Sequence, residues 1–236
     1  MGRQVQTVDW AQIEPKIQTG DLFLCHGSEL SSEAIEWVTG SIFSHVGMFV
    51  RLGKNRVPYI WQEAPDPLLA DPKHHNKAHR GAQLGAAETI VSIAPKYHEV
   101  TYWRPLVWDR PADFEDRLLG VIPTLDGVPF AKGDLGMVER WIAGKLDIAL
   151  APSSMFCAEL IAQTLQRLDL LGRQPPANGY APADFGGAPP AAKLRHGAAL
   201  GELVHVVGGT VDITAAEAAE RSEDPAAAPR PAAGTT

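Results

Sequence analysis

GDLFLCHGSELSSEAIEWVTGSIFSHVGMFV, residues 20–50, contains the pattern from which the fold is read. The Gly20-Asp21 turn releases a short apolar strand at Leu22 to Leu24, and Ser31 or Ser32 is placed to cap a helix through Ile35 and Val38 that Gly40 stops. Ser44 to Val50 alternates as a strand. Because strand side chains alternate, His45, Gly47 and Phe49 share one face and Val46, Met48 and Val50 the other. The turn at Gly53-Lys54-Asn55 returns the chain to a partner strand near Tyr59 to Glu63, which groups Tyr59, Trp61 and Glu63.

Further along, Glu88 to Ala94 and Val100 to Arg104 carry the β-branched and aromatic residues of strands. Pro111 to about Leu125 is patterned as a helix that Pro123 ends early or kinks. Pro65 to about Gly85 mixes turn formers with His and Lys and has no clear period, so a long loop is expected there. SSMFCAELIAQTLQRLDLLG, residues 153–172, is the strongest helix, with a capping serine, apolar Phe156, Leu160, Ile161, Leu165 and Leu168, and Gly172 as its stop. The Ala- and Pro-rich end has almost no large apolar side chain to bury. One domain over 1–213 and a disordered tail over 214–236 are therefore expected.

Composition narrows the function. The chain has 236 residues, 45% hydrophobic and 21% charged, enough for one sizeable core. A net charge of −7 without a basic stripe argues against nucleic acid as a partner. The start has no apolar run behind its Arg, and nowhere does the sequence approach the about 18 consecutive apolar residues of a spanning helix. A cytoplasmic chain with no integral membrane segment is expected. Two cysteines, Cys25 and Cys157, are too few for a disulfide scaffold, though a single bridge between them is a formal alternative.

With Ser154 as cap, Cys157 falls at the third helical position, where free N–H groups and the positive end of the helix dipole favour a thiolate. Its own amide is a candidate oxyanion donor. Alone, Cys157 reads equally as a small buried core residue and His45 as a packing histidine. Together they make a nucleophile and base, and a carboxylate on the adjacent strand would orient the imidazole; strand pairing nominates Glu63 and turns Gln62 to the opposite side. Trp61 is expected on the site face, lining a substrate pocket. Cys25-His26 cannot pair, since neighbours on a strand point apart, and Cys25 is expected to pack. His74, His75 and His79 with Asp71 lack a recognised ligand spacing, so neither metal nor other cofactor is expected.

The run from Gly20 to Val50, with Met155-Phe156-Cys157-Ala158-Glu159-Leu160 and Tyr180-Ala181-Pro182-Ala183-Asp184-Phe185, resembles the permuted branch of the NlpC superfamily, the YiiX/YebB-like papain-fold amidases. In that branch the histidine strand precedes the cysteine helix, as His45 precedes Cys157 here. The resemblance implies an α+β, circularly permuted papain-like domain with an antiparallel sheet packed against helices. It also implies Cys157 as nucleophile, His45 as base, Glu63 as the orienting third member, and a small-molecule, peptide-like, N-acyl or lipid-ester substrate. Ala158 stands where serine is common in relatives, and residues 65–85 match no pattern of the branch. Amidase or peptidase chemistry through a thioester is the expected activity; acyl transfer, lipid-ester hydrolysis and a non-catalytic ligand-binding module of the same fold are the alternatives.

Overall fold

A computed structural model describes residues 5–27, 42–64, 80–131, 133–151, 153–187 and 189–208. The helix expected from Ser31 or Ser32, most of the loop expected from Pro65 and the tail expected from 214 fall outside these residues.

Seven strands form one sheet: β1 (Gln6–Asp9), β2 (Leu22–His26), β3 (His45–Leu52), β4 (Val57–Ala64), β5 (Gly81–Ala86), β6 (Val100–Arg104) and β9 (Val204–Val207). Their spatial order is β1-β9-β6-β2-β3-β4-β5. Every pairing is antiparallel except β1 with β9. The short β7 (Leu106–Val107) and β8 (Ala199–Leu200) pair separately. The helices are α1 (Trp10–Ile13), α2 (Ala87–Ile93), α3 (Phe114–Val121), α4 (Gly133–Lys145), α5 (Cys157–Arg167) and α6 (Pro182–Gly186). The expected mixture of helices and a mainly antiparallel sheet is what the chain adopts.

The alternation of β3 divides the core. Val46, Met48 and Val50 face α3 and α5 together with Leu22, Leu24 and Trp61, while Phe49 joins Phe23, Ile60 and the residues of α1 and α2 on the other face. Two glycines permit close approaches. Gly20 has φ +97°, and a Cβ on it would lie 2.9 Å from the Phe114 ring. A Cβ on Gly47 would meet Ile60 Cγ2 at 2.5 Å. Pro58 is tolerated in β4 because pairing with β5 begins only at Tyr59, so its missing N–H removes no bond on that side.

Helix α5 is held by its apolar content, with Leu160, Ile161, Ala162 and Leu165 at most 1% exposed. Burying each of the large aliphatic side chains contributes roughly 1.5–3 kcal/mol.

Three sequence expectations change. Glu88 to Ala94 is a helix, because Ala87, Ile90, Val91 and Ala94 are all buried at the i, i+3, i+4, i+7 spacing, and that period outweighs the β-branched content. The end of the expected loop, Gly81–Ala86, is a strand that zips onto β4 from Tyr59↔Ala86 to Ala64↔Gly81. Ser154 does not cap α5: Phe156 is the residue before the helix and Cys157 is its first residue. The helix from Pro111 is shorter, as Pro123 requires, running Phe114–Val121 and tightening into a 3-10 turn.

Candidate active site

The strand before α5 fixes where the thiol sits. Met155 N–H donates to Pro129 O at 3.0 Å and its carbonyl accepts Ala131 N–H at 2.7 Å, so the chain enters the helix pinned on both sides. Glu159, at the third helical position, receives the Phe156 N–H, which compensates for the absent side-chain cap. Its carboxylate also takes Arg140 of α4 at 2.6 and 3.0 Å, a bidentate pair that ties α5 to α4. Asn178 braces α4 by donating to Arg140 O at 2.8 Å and to Ile148 O at 3.1 Å.

Cys157 Sγ lies 3.9 Å from Ser44 O. The N–H groups of Val46, Ala158 and Cys157 also bear on the sulfur. The thiol therefore rests against the main chain on both sides of His45. Burial is the larger influence: with Cys157 4% exposed, it pushes the thiol up to about 11, the three N–H groups pull it down, and an ionised Glu63 would add to the rise. The thiolate expected from the helix end alone is outweighed, and the resting group is a thiol.

His45 is half-buried at the start of β3, its ring edge-on to Phe23 at 6.4 Å between centroids. Nε2 lies 2.9 Å from Gln62 Oε1, an acceptor, so Nε2 carries the proton and the neutral ring keeps its lone pair on Nδ1. Burial lowers the imidazole below its ordinary range and the bond to Gln62 opposes this. At rest the Cys157 thiol and the His45 imidazole are thus both neutral.

The residue that meets the His45 ring is Gln62, where the sequence reading expected Glu63. Met48 pairs with Trp61, and this register carried on places Gln62 opposite Gly47 and Glu63 opposite Val46. Residues opposite each other share a face, so Gln62 belongs to the His45 face and Glu63 to the face of Met48 and Trp61. Gly47 leaves the space: its absent Cβ would sit 3.4 Å from Gln62 Cβ, and through this gap the amide reaches His45. Gln83, paired with Gln62 across β5, flanks the amide. The alternation was legible; a glycine opposite the glutamine was the signal that could have identified it.

Glu63 is fully buried, and among the described residues neither carboxyl oxygen has a hydrogen-bond partner. Burial, then the nearby Glu159, pushes its carboxyl up to about 9, so it is a neutral acid at pH 7. Trp61 is also fully buried, with Nε1–H donating to Thr164 Oγ1 at 3.1 Å. It anchors α5 and does not line an open pocket. Cys25 packs with Phe23 and Phe49 in the second core cluster as a free thiol, and Cys157 is free as well. Among the described residues no group of three or more His, Cys, Asp or Glu could hold a metal ion. His74, His75 and His79 lie outside them. No described helix is long and apolar enough to cross a membrane. A cavity of about 370 Å³ lined by Arg51, Arg56, Arg110 and Glu115 does not include Cys157 or His45.

No family model matches the chain. No curated protein matches it. Among solved structures it is weakly similar to the metalloprotein YiiX from Escherichia coli O157:H7, at 16% identity and a TM-score of 0.45, over 64% of this chain and 66% of that one.

Proposed function

We propose that the chain is a cysteine-dependent hydrolase on a circularly permuted papain-like fold, cleaving a peptide-like or N-acyl amide through a thioester. The observation that carries this reading is the seating of Cys157 at the first turn of α5, against the Ser44 carbonyl and Val46 amide that flank His45, while His45 Nε2–H is committed to Gln62. The ring sits on the Phe23 and Gln62 face of β3 while Cys157 packs with the Val46 and Met48 face, so in this reading the ring turns to bring Nδ1 to the sulfur as the base. Nδ1 takes the thiol proton as sulfur bonds to the substrate carbonyl carbon; the proton then passes to the departing amine as the C–N bond breaks. Water attacks the thioester, His45 takes a proton from it, and the thiol is restored. The N–H groups of the first turn of α5, of which those of Cys157 and Ala158 bear on the sulfur at rest, are the donors offered to the oxyanion. Gln62 takes the orienting role that the sequence assigned to Glu63.

A neutral pair asks the base to act during attack, so loss of His45 should reduce turnover by about 10²-fold or more. The experiment is to screen activated N-acyl amides, peptides and lipid esters with the wild type, Cys157→Ala and His45→Ala, and to search for an acyl adduct on Cys157 by mass spectrometry. A trapped thioester that needs both residues supports hydrolysis or acyl transfer, with added amine acceptors separating the two. The absence of any adduct, with Cys157 alkylation indifferent to His45, overturns the proposal. A non-catalytic ligand-binding module is the second reading, favoured by the burial and resting protonation of Cys157.

A further inference from the structure

The cavity of about 370 Å³ that lies apart from Cys157 and His45 is lined by three guanidiniums, and they are used unequally. Arg51 is a girder: Nε donates to Ile17 O at 2.7 Å, Nη1 to Glu14 Oε1 at 3.1 Å and to Arg56 O, and Nη2 to Glu14 O. Arg110 spends one N–H of each nitrogen, on Thr19 O at 3.1 Å, Gln18 Oε1 at 2.7 Å and Asp21 Oδ1 at 2.7 Å. Arg56 spends only Nη1, on both oxygens of Glu115 at 2.6 Å. A guanidinium carries five N–H donors. Among the described residues, the whole Nε–Nη2 edge of Arg56 and one N–H on each Nη of Arg110 therefore have no acceptor. The open edge of Arg56 is held in place: Glu115 grips the other edge, the carbonyl takes Arg51, and the backbone stands at φ +55°, a conformation disfavoured for any residue with a Cβ. Glu14, Asp21 and Glu115 balance the three cations, but of these only Glu115 lines the cavity. Pro15, Ile17, Pro111 and Phe114 add apolar wall.

We propose that this cavity binds the phosphoryl group of a small organic phosphate, with the Nε–Nη2 edge of Arg56 gripping two of its oxygens and Arg110 a third. That edge is the planar fork that takes an oxyanion through two parallel bonds. A phosphoryl group offers three terminal oxygens, enough for both arginines, and the apolar wall beside them accommodates a carbon skeleton. The volume falls at the small end of ligand cavities. Glu115 is the internal competitor: with the three cations already balanced, an incoming anion must loosen its hold on Arg56, so the carboxylate sets the affinity. The site is separate from the cysteine chemistry and does not depend on it.

The test is calorimetric titration of the full chain with inorganic phosphate and with glycerol 3-phosphate at fixed ionic strength, chloride serving as the reference, beside co-sedimentation with phosphatidylcholine vesicles with and without phosphatidic acid. Binding should saturate, although a chain of net charge −7 has no general attraction for anions. Arg56→Gln and Arg56→Lys should both weaken it by about tenfold, because lysine keeps the charge and loses the fork. Glu115→Gln should tighten it severalfold, a gain that damage to the fold does not mimic. Saturation by the soluble phosphates identifies a free organic phosphate, and binding confined to phosphatidic acid vesicles identifies a lipid headgroup; either upholds the site. A response that chloride reproduces, an affinity unmoved by both Arg56 substitutions, or a Glu115→Gln chain that binds no tighter overturns it. Cys157→Ala should bind phosphate as the wild type does, so this result and the hydrolase reading stand or fall separately.

Discussion

Asp21 and Glu63 are both buried carboxyls, 1% and 0% exposed, and the chain treats them in opposite ways. Asp21 accepts Gln18 N–H at 3.0 Å, Leu106 N–H at 2.9 Å, Trp103 Nε1–H at 2.8 Å and the Arg110 guanidinium at 2.7 Å. Glu63 accepts none. Burial raises both, but at Asp21 four donors oppose the rise, whereas Glu63 has no such opposition and climbs to about 9. A carboxyl that joins β6, β7 and the entry to β2 is part of the scaffold. One left without donors, beside α5, ties no elements together.

Removing the connected carboxyl should have the largest effect. Asp21→Ala leaves the Arg110 cation, the Trp103 N–H and the Leu106 N–H without their acceptor, and stability should fall by about 3–5 kcal/mol in urea denaturation. A loss under 1 kcal/mol would erase the contrast. Glu63→Gln should act in the opposite direction. The folded carboxyl titrates at about 9 against an unfolded value near 4.5, so the folded state holds its proton more tightly. Stability is full below about pH 4.5 and declines as pH rises towards 9. At pH 7 the cost is up to about 3 kcal/mol, which the amide relieves. Melting temperature against pH should therefore slope less in Glu63→Gln than in the wild type; parallel slopes would refute the assigned protonation.

Smaller effects test the supports around this contrast. Trp61→Phe removes the bond to Thr164 and should cost about 1–2 kcal/mol through the lost donor and a small void. Gln62→Ala should cost little stability but slow His45-dependent modification of Cys157 about fivefold to tenfold, the worth of one orienting hydrogen bond. Loss of stability without loss of reactivity would assign Gln62 to packing instead.

Much of the sheet was legible in the sequence because Ser44 to Val50 reads as an alternating strand and the turn behind it is marked by Gly53. The grouping of Tyr59, Trp61 and Glu63 on one face follows from the same alternation. What the sequence reading missed was which face of β3 that group joins. Leu52 pairs with Val57 across a four-residue connection that uses Gly53 at φ +70° and Arg56 at φ +55°. Counting that turn one residue differently exchanges Gln62 for Glu63 at His45, so a turn far from that ring decides which side chain it meets. Helix α2 was hidden by its Thr, Ile and Val content, which local propensity assigns to strands while burial spacing assigns to a helix. The β1–β9 pair links residues about 198 apart in sequence, a contact that no local pattern encodes.

That pair also governs the order in which the molecule can be assembled. Until β9 emerges from the ribosome, β6 has only β2 for a neighbour, and β1 has no partner in the sheet at all. A nascent chain that has already made β2 to β6 and α5 thus carries an open, hydrogen-bond-hungry border for the time needed to translate some forty further residues, roughly 2–8 s at typical elongation rates. Completion of the sheet is a late, long-range event, and a chaperone that shields the outer border of β6 during synthesis would act on this protein more than on one whose strands pair in sequence order.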